Sequence, residues 1–444
     1  MTKENTIYTS KITFKKILIF TIPTILMMLI QQSYSMIDGI FISNIIGEQA
    51  LSSITLISPY LNLFAAIAAM FASGGSAVVM KKMGEKKEDE ALKDFTFLIL
   101  LNVVIGLILT IIVCLFSKEL VSIFNANAAV KNYCFKYLLA YAFFIIPSLL
   151  FSNLQIYTIA TGATKRAMFS ALFGGIFNIV FDYILIKSCN LGITGAAIAS
   201  GLGMLIPCLI LGYPMLKKSN FLHFTKPSFN KHTLLKTMSN GFSEFSSNLV
   251  SGVVMLLFNY QMLKIAGESG VSASTITFYV FGFMSALYMG YMFGVSPLLS
   301  YFYGEKNYEN LKKIKTISIK LITIVAISTT LLSILSSPLL VGIFTSPKTA
   351  SYQLAISGNK LFSIALLFVG FNTFSSMLFT SLSNGKISAI IAFSRTFIFL
   401  SLTIIILPIL FGINGLWLAV PISEILALIL SIYFLKKYQK QYKY

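Results

Sequence analysis

The chain has 444 residues, of which 56% are hydrophobic and only 11% charged, with 34 Lys+Arg against 15 Asp+Glu. Soluble domains carry about a quarter charged residues, so this chain cannot clothe an ordinary water-facing surface, and a soluble enzyme is excluded. Twelve membrane helices of about 20 apolar residues would absorb about 240 residues, close to what 56% of 444 represents. A net charge of +19 ordinarily raises nucleic acid as a partner, but here the basic residues punctuate apolar runs, and no nucleic-acid role is expected.

Apolar runs follow one another at 16–43, 53–80, 95–116, 135–161, 167–188 and 192–216. After a polar linker over 217–238 come 239–265, 273–303, 314–336, 355–382, 388–410 and 412–435. The first run is too long for a cleavable leader and lacks a small-residue cleavage site, so it reads as a retained span. The domains expected are an N-terminal lobe (1–216), the linker (217–238) and a C-terminal lobe (239–444). With twelve spans, 27 of the 34 basic residues fall on the side holding both termini, which the positive-inside rule makes cytoplasmic. Arg395, two turns inside its span, is expected to snorkel toward that face. Cys114, Cys134, Cys189 and Cys208 form no CxxC pair, and no nucleophile–base or zinc constellation is present. No cofactor is expected.

An internal repeat runs through the chain at an offset of 220. Gly47-Glu48 matches Gly267-Glu268, Gly84-Glu85-Lys86 matches Gly304-Glu305-Lys306, and Gly192 and Gly195 match Gly412 and Gly415. Six spans per copy is an even number, so both copies insert in the same sense, related by a two-fold along the membrane normal. The fold class is therefore an all-α polytopic membrane protein: twelve helices in two six-helix lobes, V-shaped around a central cavity.

Four acids lie inside spans: Asp38, Asp182, Glu244 and Glu424. Each ionised acid near the bilayer centre costs at least about 2.5–3.5 kcal/mol, so these positions are expected to be used. On span 1, Gln31, Tyr34, Ser35 and Asp38 fall at helical spacing on one stripe, and on span 5 Asn178 and Asp182 fall at i, i+4. Ser200 on span 6 reaches a comparable depth. Two carboxylates in low dielectric repel; a proton or a dehydrated Na+ would relieve the repulsion, with Asn178, Ser200 and Tyr34 supplying further oxygens. Any metal ion expected is thus Na+ at Asp38, Asn178 and Asp182. The acids are not duplicated, since the repeat mates of Asp38 and Asp182 are Phe258 and Leu402.

In the second lobe, Glu244, Asn248, Ser251, Met255 and Asn259 share one stripe of span 7, while Phe281, Met284, Tyr288 and Met292 share a face of span 8. Aromatic and methionine surfaces accept varied apolar cations. With Gln31 and Glu424, these residues are the substrate-cavity candidates. Prolines 23, 59, 147, 207, 297 and 421 lie inside spans, where each frees a carbonyl and permits a kink. Pro23, about four turns from Asp38, is the candidate hinge.

The assembled segments "MIDGIFISNIIGEQAL", "GGSAVVMKKMGEKKEDEA", "TGATKRAM", "FNIVFDYILI", "LGITGAAIAS" and "SPLLSYFYGEKN" make the chain resemble the multidrug and toxic compound extrusion (MATE) transporters over nearly its whole length. The resemblance implies export of organic, often cationic, compounds in exchange for H+ or Na+. It also implies a first-lobe cation site whose span 1 aspartate, span 5 Asn-x-x-x-Asp pair and span 6 hydroxyl map onto Asp38, Asn178, Asp182 and Ser200, with Tyr34 one turn before the aspartate. The sodium-coupled branch has acids in spans 7 and 10 where this chain shows Ser251 and Asn372, and the pattern looks closer to drug exporters of low-GC Gram-positive bacteria. A lipid-linked oligosaccharide flippase of the wider superfamily is the alternative. The expected setting is the cytoplasmic membrane, with the protein working as a monomer on small organic cations or drugs.

Overall fold

The computed structural model describes residues 6–124 and 126–444; the side chains of Ser35, Asn44 and Glu48, all used in the sequence reading, lie outside the described residues. After a short turn at Thr6–Thr9, α1 spans Phe14–Ile45, α2 Glu48–Gly84 and α3 Glu88–Ser122. The fourth span, α4, is broken: Ala128–Ala142 and Ile145–Ala160 meet at 58°. Pro147, in the first turn of the second piece, has no N–H to continue the helix across the break. Next come α5 (Thr164–Asp182, prolonged by a π-helix over Tyr183–Ser188) and α6 (Gly192–Met215).

The non-helical part of the linker ends before Lys231, where the Asn230 side chain accepts from the backbone N–H groups of His232 and Thr233 and caps the next helix. That helix, Lys231–Gly304, contains one non-helical residue, Gly267 at φ 63°. Residues 231–266 are α7 and residues 268–304 are α8. Then follow α9 (Tyr308–Leu335), α10 (Ala350–Ser381) and the helix pair within Gly385–Tyr442. This last stretch is divided at Gly412, φ 56°, into α11 (385–411) and α12 (413–442). Nine continuous stretches plus the bent pair are long and apolar enough to cross a bilayer, and the breaks at Gly267 and Gly412 make twelve spans among the described residues.

The repeat is visible in the backbone itself. Lys86 and Lys306 are both left-handed, at φ 61° and 58°, and Gly192 and Gly412 share φ 56°. Gly84 and Gly304, one the repeat mate of the other, pack where α2 crosses α8: a Cβ on Gly84 would overlap the Tyr301 carbonyl oxygen, and one on Gly304 the Lys81 carbonyl oxygen. The pseudo-two-fold therefore passes through this contact, and only glycine allows the backbones so close.

The core sits accordingly. At the end carrying both termini one hydrophobic cluster runs through both halves, joining Tyr8, Met80 and Phe95 to Leu298, Phe302 and Phe379. Toward the opposite end the core divides. Ile42, Ile57, Tyr137 and Ile193 pack in the first lobe, while Phe258, Phe362 and Trp417 pack in the second. The molecule is a V, closed at the terminal end. Apolar rows such as Leu100, Val104, Leu107, Ile111 and Leu115 of α3 are exposed, as hydrocarbon-facing helices require.

Candidate functional site

α1 and α5 meet in the first lobe at Gly175, where a Cβ would come within 3.0 Å of the Tyr34 ring. This close seat lets the polar stripe of α1 reach that of α5. Asp182 is fully buried and Asn178 is 3% exposed. The carboxyl groups of Asp38 and Asp182 lie close to each other. Yet Asp38 Oδ1, both carboxylate oxygens of Asp182 and Asn178 Oδ1 are buried with no donor. Hard oxygens without donors are what a proton or an alkali cation satisfies, so the residues present fit either ion. Asp182 is also the last α-helical residue before the π-helical turn Tyr183–Ser188, a distortion frequent at functional sites.

The first-lobe candidates come together. Tyr34 lies beside Asp38 and Tyr141. Tyr137 lies near Ser200 and both aspartates. Sequence reasoning missed Tyr137 and Tyr141, because α4 carried no acid to mark it; the bend after Ala142 brings its first piece against α6. Tyr141 donates to Ser148 Oγ (3.3 Å) and lies 3.5 Å from Met204 Sδ. Gln31 Nε2 donates to Gln155 Oε1 of α4 at 3.3 Å, and Gln155 was likewise missed.

The second lobe requires corrections. Arg395 does not snorkel to the terminal face. Its Nε donates to Glu424 Oε1 at 2.7 Å, and its Nη1 to Thr373 Oγ1 at 2.9 Å. The other Glu424 oxygen accepts from Asn372 Nδ2 at 2.7 Å, and Asn372 Oδ1 accepts from Ser431 Oγ at 3.0 Å. Glu424, 5% exposed, is thus a paired packing acid rather than a wall of an open cavity. The physical reason is a π-helical stretch, Ser394–Phe399, which widens one turn of α11 and turns Arg395 inward toward α12.

Met284, Tyr288 and Met292 are also withdrawn from the cavity: all three are buried in the shared core. The Tyr288 hydroxyl lies 2.9 Å from Thr329 Oγ1 and donates to the Leu366 carbonyl. Phe281 stands edge-on to Phe362. Glu244 is half-buried and close enough to Arg395 to feel its charge. Asn248 Nδ2 donates to the Glu244 carbonyl, and Ser251 Oγ to that of Asn248, so the α7 stripe partly satisfies its own helix. Ser251 and Met255 do border a cavity of about 280 Å³, lined also by Phe278, Thr396 and Leu400.

Fold and site together define the class: a polytopic helical membrane protein of two-lobed transporter architecture. The MatE family model matches residues 23–184 and 245–409, and the chain belongs to the MatE family. It is 24% identical over 425 residues to the multidrug export protein MepA of Staphylococcus haemolyticus, covering 95% of this chain and 92% of that one. To MepA of Staphylococcus aureus it is 25% identical over 436 residues, covering 95% and 94%. Among solved structures, a MATE transporter in complex with MaL6 superposes with a TM-score of 0.94 at 22% identity, both chains fully covered. An outward-facing multidrug resistance MATE family transporter of the MOP superfamily superposes at 0.91 and 22% identity, covering 100% of this chain and 99% of that one.

Proposed function

We propose that this chain is a secondary active multidrug exporter, exchanging H+ or Na+ at Asp38 and Asp182 for organic, cationic, amphipathic compounds by alternating access. The observation carrying this reading is the pair of facing, buried carboxylates with three oxygens lacking donors. Two ionised aspartates so placed repel and are desolvated, which a cation entering from the open end of the V relieves. Asn178 Oδ1, itself without a donor, would supply a further oxygen to the bound ion beside the two carboxyl groups, with Tyr34 and Ser200 the other candidate oxygens. The names of the staphylococcal relatives support drug export, and the basic bias of the terminal side supports cytoplasmic termini in the cell membrane, with the monomer as the working unit.

Substrate would lie between the lobes, against Gln31 of α1 and Glu244, Asn248 and Ser251 of α7. Pro23 lies within unbroken α1, and bending there would transmit cation occupancy to the closed end. The alternation itself follows from the shape: occupied, the first lobe loses a repulsion that favours one arrangement of α1, and the differential affinity for the ion in the two states drives the swing.

The experiment uses proteoliposomes loaded with a fluorescent organic cation, under imposed pH or Na+ gradients. Wild-type protein should move dye against one gradient, identifying the ion. Asp38→Asn and Asp182→Asn should each reduce this to the rate of empty liposomes, with an unchanged elution profile. Gradient-driven transport at wild-type rate in either variant would sink the mechanism.

A further inference from the structure

The cavity of about 280 Å³ beside Ser251 and Met255 stands in the second lobe where the repeat places the first lobe's cation site. Ser251, Val254, Phe258 and Val420 line it. Their repeat mates are Gln31, Tyr34, Asp38 and Ser200, which belong to the cation site and to the α1 stripe leading to it. The surroundings repeat as well. A Cβ on Gly252 would lie 3.4 Å from Asn62 Nδ2 of the other lobe, and one on Gly282 would lie 3.2 Å from Gln32 Nε2. The two pairs are mates at the same offset of 220. Gly252 sits between Ser251 and Met255, both exposed, so the open rim of the cavity stands next to the first lobe.

The chemistry, by contrast, has been exchanged. Where the first lobe holds acids, an amide and a phenol, the second presents the Phe258 and Phe278 rings, 5.0 Å apart and edge-on, with Val254, Leu400, Ile404 and Val420. The hydroxyls of Ser251 and Thr396 donate to carbonyls of their own helices. On α11 the mates of Asn178 and Asp182 are Ile398 and Leu402, and both are exposed. The π-helical stretch begins at Ser394 here and only after Asp182 in α5, and Leu400 and Ile404 line the cavity instead.

Alkali cations take oxygen ligands, which such a surface lacks. It suits an aromatic ring, through burial of apolar area and edge-to-face contact. An apolar cavity of about 150 Å³ accommodates benzene, whereas sites for whole drug-sized molecules run to about 300–1,000 Å³. This one therefore has room for a ring system and its substituents. Charge is supplied at one end. Glu244 precedes Ser247, a lining residue, by one turn, about 4.5 Å along α7. Arg395 nearby is bonded to Glu424, so two acids against one guanidinium leave a net negative charge. No Lys or Arg lines the cavity among the described residues. We infer, resting on the exporter reading above, that this cavity binds the aromatic part of the exported organic cation, with the charged end toward Glu244. The two exchanged species then occupy pseudo-symmetric places, one in each lobe.

Photolabelling of the purified full chain with 4-azidobenzyltrimethylammonium, followed by peptide mapping, tests this without any gradient. Adducts should fall on residues 247–258, Phe278 and residues 396–404. Benzyltrimethylammonium should protect at a concentration about tenfold or more below that of tetramethylammonium, which lacks the ring. Ser251→Phe, at the exposed rim where folding is not at stake, should lower labelling about tenfold or more, and Thr396→Phe likewise. Ile176→Phe, at the repeat mate of Thr396 and an exposed position of α5, should leave it unchanged. Glu244→Gln should weaken labelling by the cation about tenfold and leave labelling by neutral 4-azidobenzyl alcohol as it was. Adducts confined to the first lobe, or full labelling in both Ser251→Phe and Thr396→Phe, would overturn the proposal. So would protection by phosphatidylcholine and not by benzyltrimethylammonium, which marks an acyl-chain cavity. Labelling at these residues in a protein that moves no dye under either gradient would keep the pocket and remove the exporter reading.

Discussion

The two lobes are copies of one scaffold that treat buried charge in opposite ways. In the first, Asp38 and Asp182 face each other with no donor for three of their oxygens. In the second, Glu424 has a guanidinium on one oxygen and an amide on the other. The repeat mates of Arg395 and Glu424 are Gly175 and Met204, and those of Asp38 and Asp182 are Phe258 and Leu402. Backbone geometry survived duplication down to left-handed residues at Lys86 and Lys306, while the charges did not. A paired buried acid is part of the packing; an unpaired one is available to a ligand from outside the chain.

The sharpest way to break this contrast is to neutralise one acid in each lobe and measure thermal unfolding alongside transport. Glu424→Gln should destabilise by about 3–5 kcal/mol, because it takes from the largely buried Arg395 guanidinium the carboxylate that it is bonded to. The double variant Arg395→Met/Glu424→Leu should recover most of that loss. Asp182→Asn should cost at most about 1 kcal/mol, since it relieves a repulsion and breaks no donor contact, while ion-driven transport disappears. If Asp182→Asn unfolds the protein and Glu424→Gln does not, the assignment of function to one lobe and structure to the other is reversed.

A smaller effect is expected at the seam. Gly84→Ala and Gly304→Ala place a methyl group against Tyr301 and Lys81 carbonyls respectively. Each should shift the equilibrium toward separation of the lobes at the terminal end by about tenfold, or about 1.4 kcal/mol. Spin-label distances between positions 165 and 386 measure this, and the two variants should agree because the contact is pseudo-symmetric. Smallest is Pro23→Ala, which returns a backbone hydrogen bond to α1. It should stabilise the helix by about 1 kcal/mol or less while slowing ion-coupled dye export several-fold. Unaltered export would remove Pro23 from the coupling.

The sequence carried the parts of this design that a bilayer imposes. Hydrocarbon demands long apolar runs, so the spans were legible except where one bends after Ala142 or runs on past a linker boundary. Acids are costly in that solvent, so Asp38 and Asp182 stood out, and helical spacing put Asn178 and Tyr34 with them. The alternatives for Glu424 could not be resolved in the same way. Its partner, Arg395, is 29 residues away on another helix, and an added π-turn sets the phase with which Arg395 points. Tyr137 had the same difficulty, since a lone tyrosine in an apolar run has no signature until the bend in α4 brings its first piece against α6.

Composition and periodicity by themselves determined that this is a twelve-span, duplicated membrane protein with scarce acids to account for, because those features answer to the solvent and to the gene's own repeat. Only tertiary structure decided which acids are paired and which stand open. Pairing depends on helix rotation and close approach at residues such as Gly175 and Ser394–Phe399, quantities of a few ångströms that no linear spacing encodes.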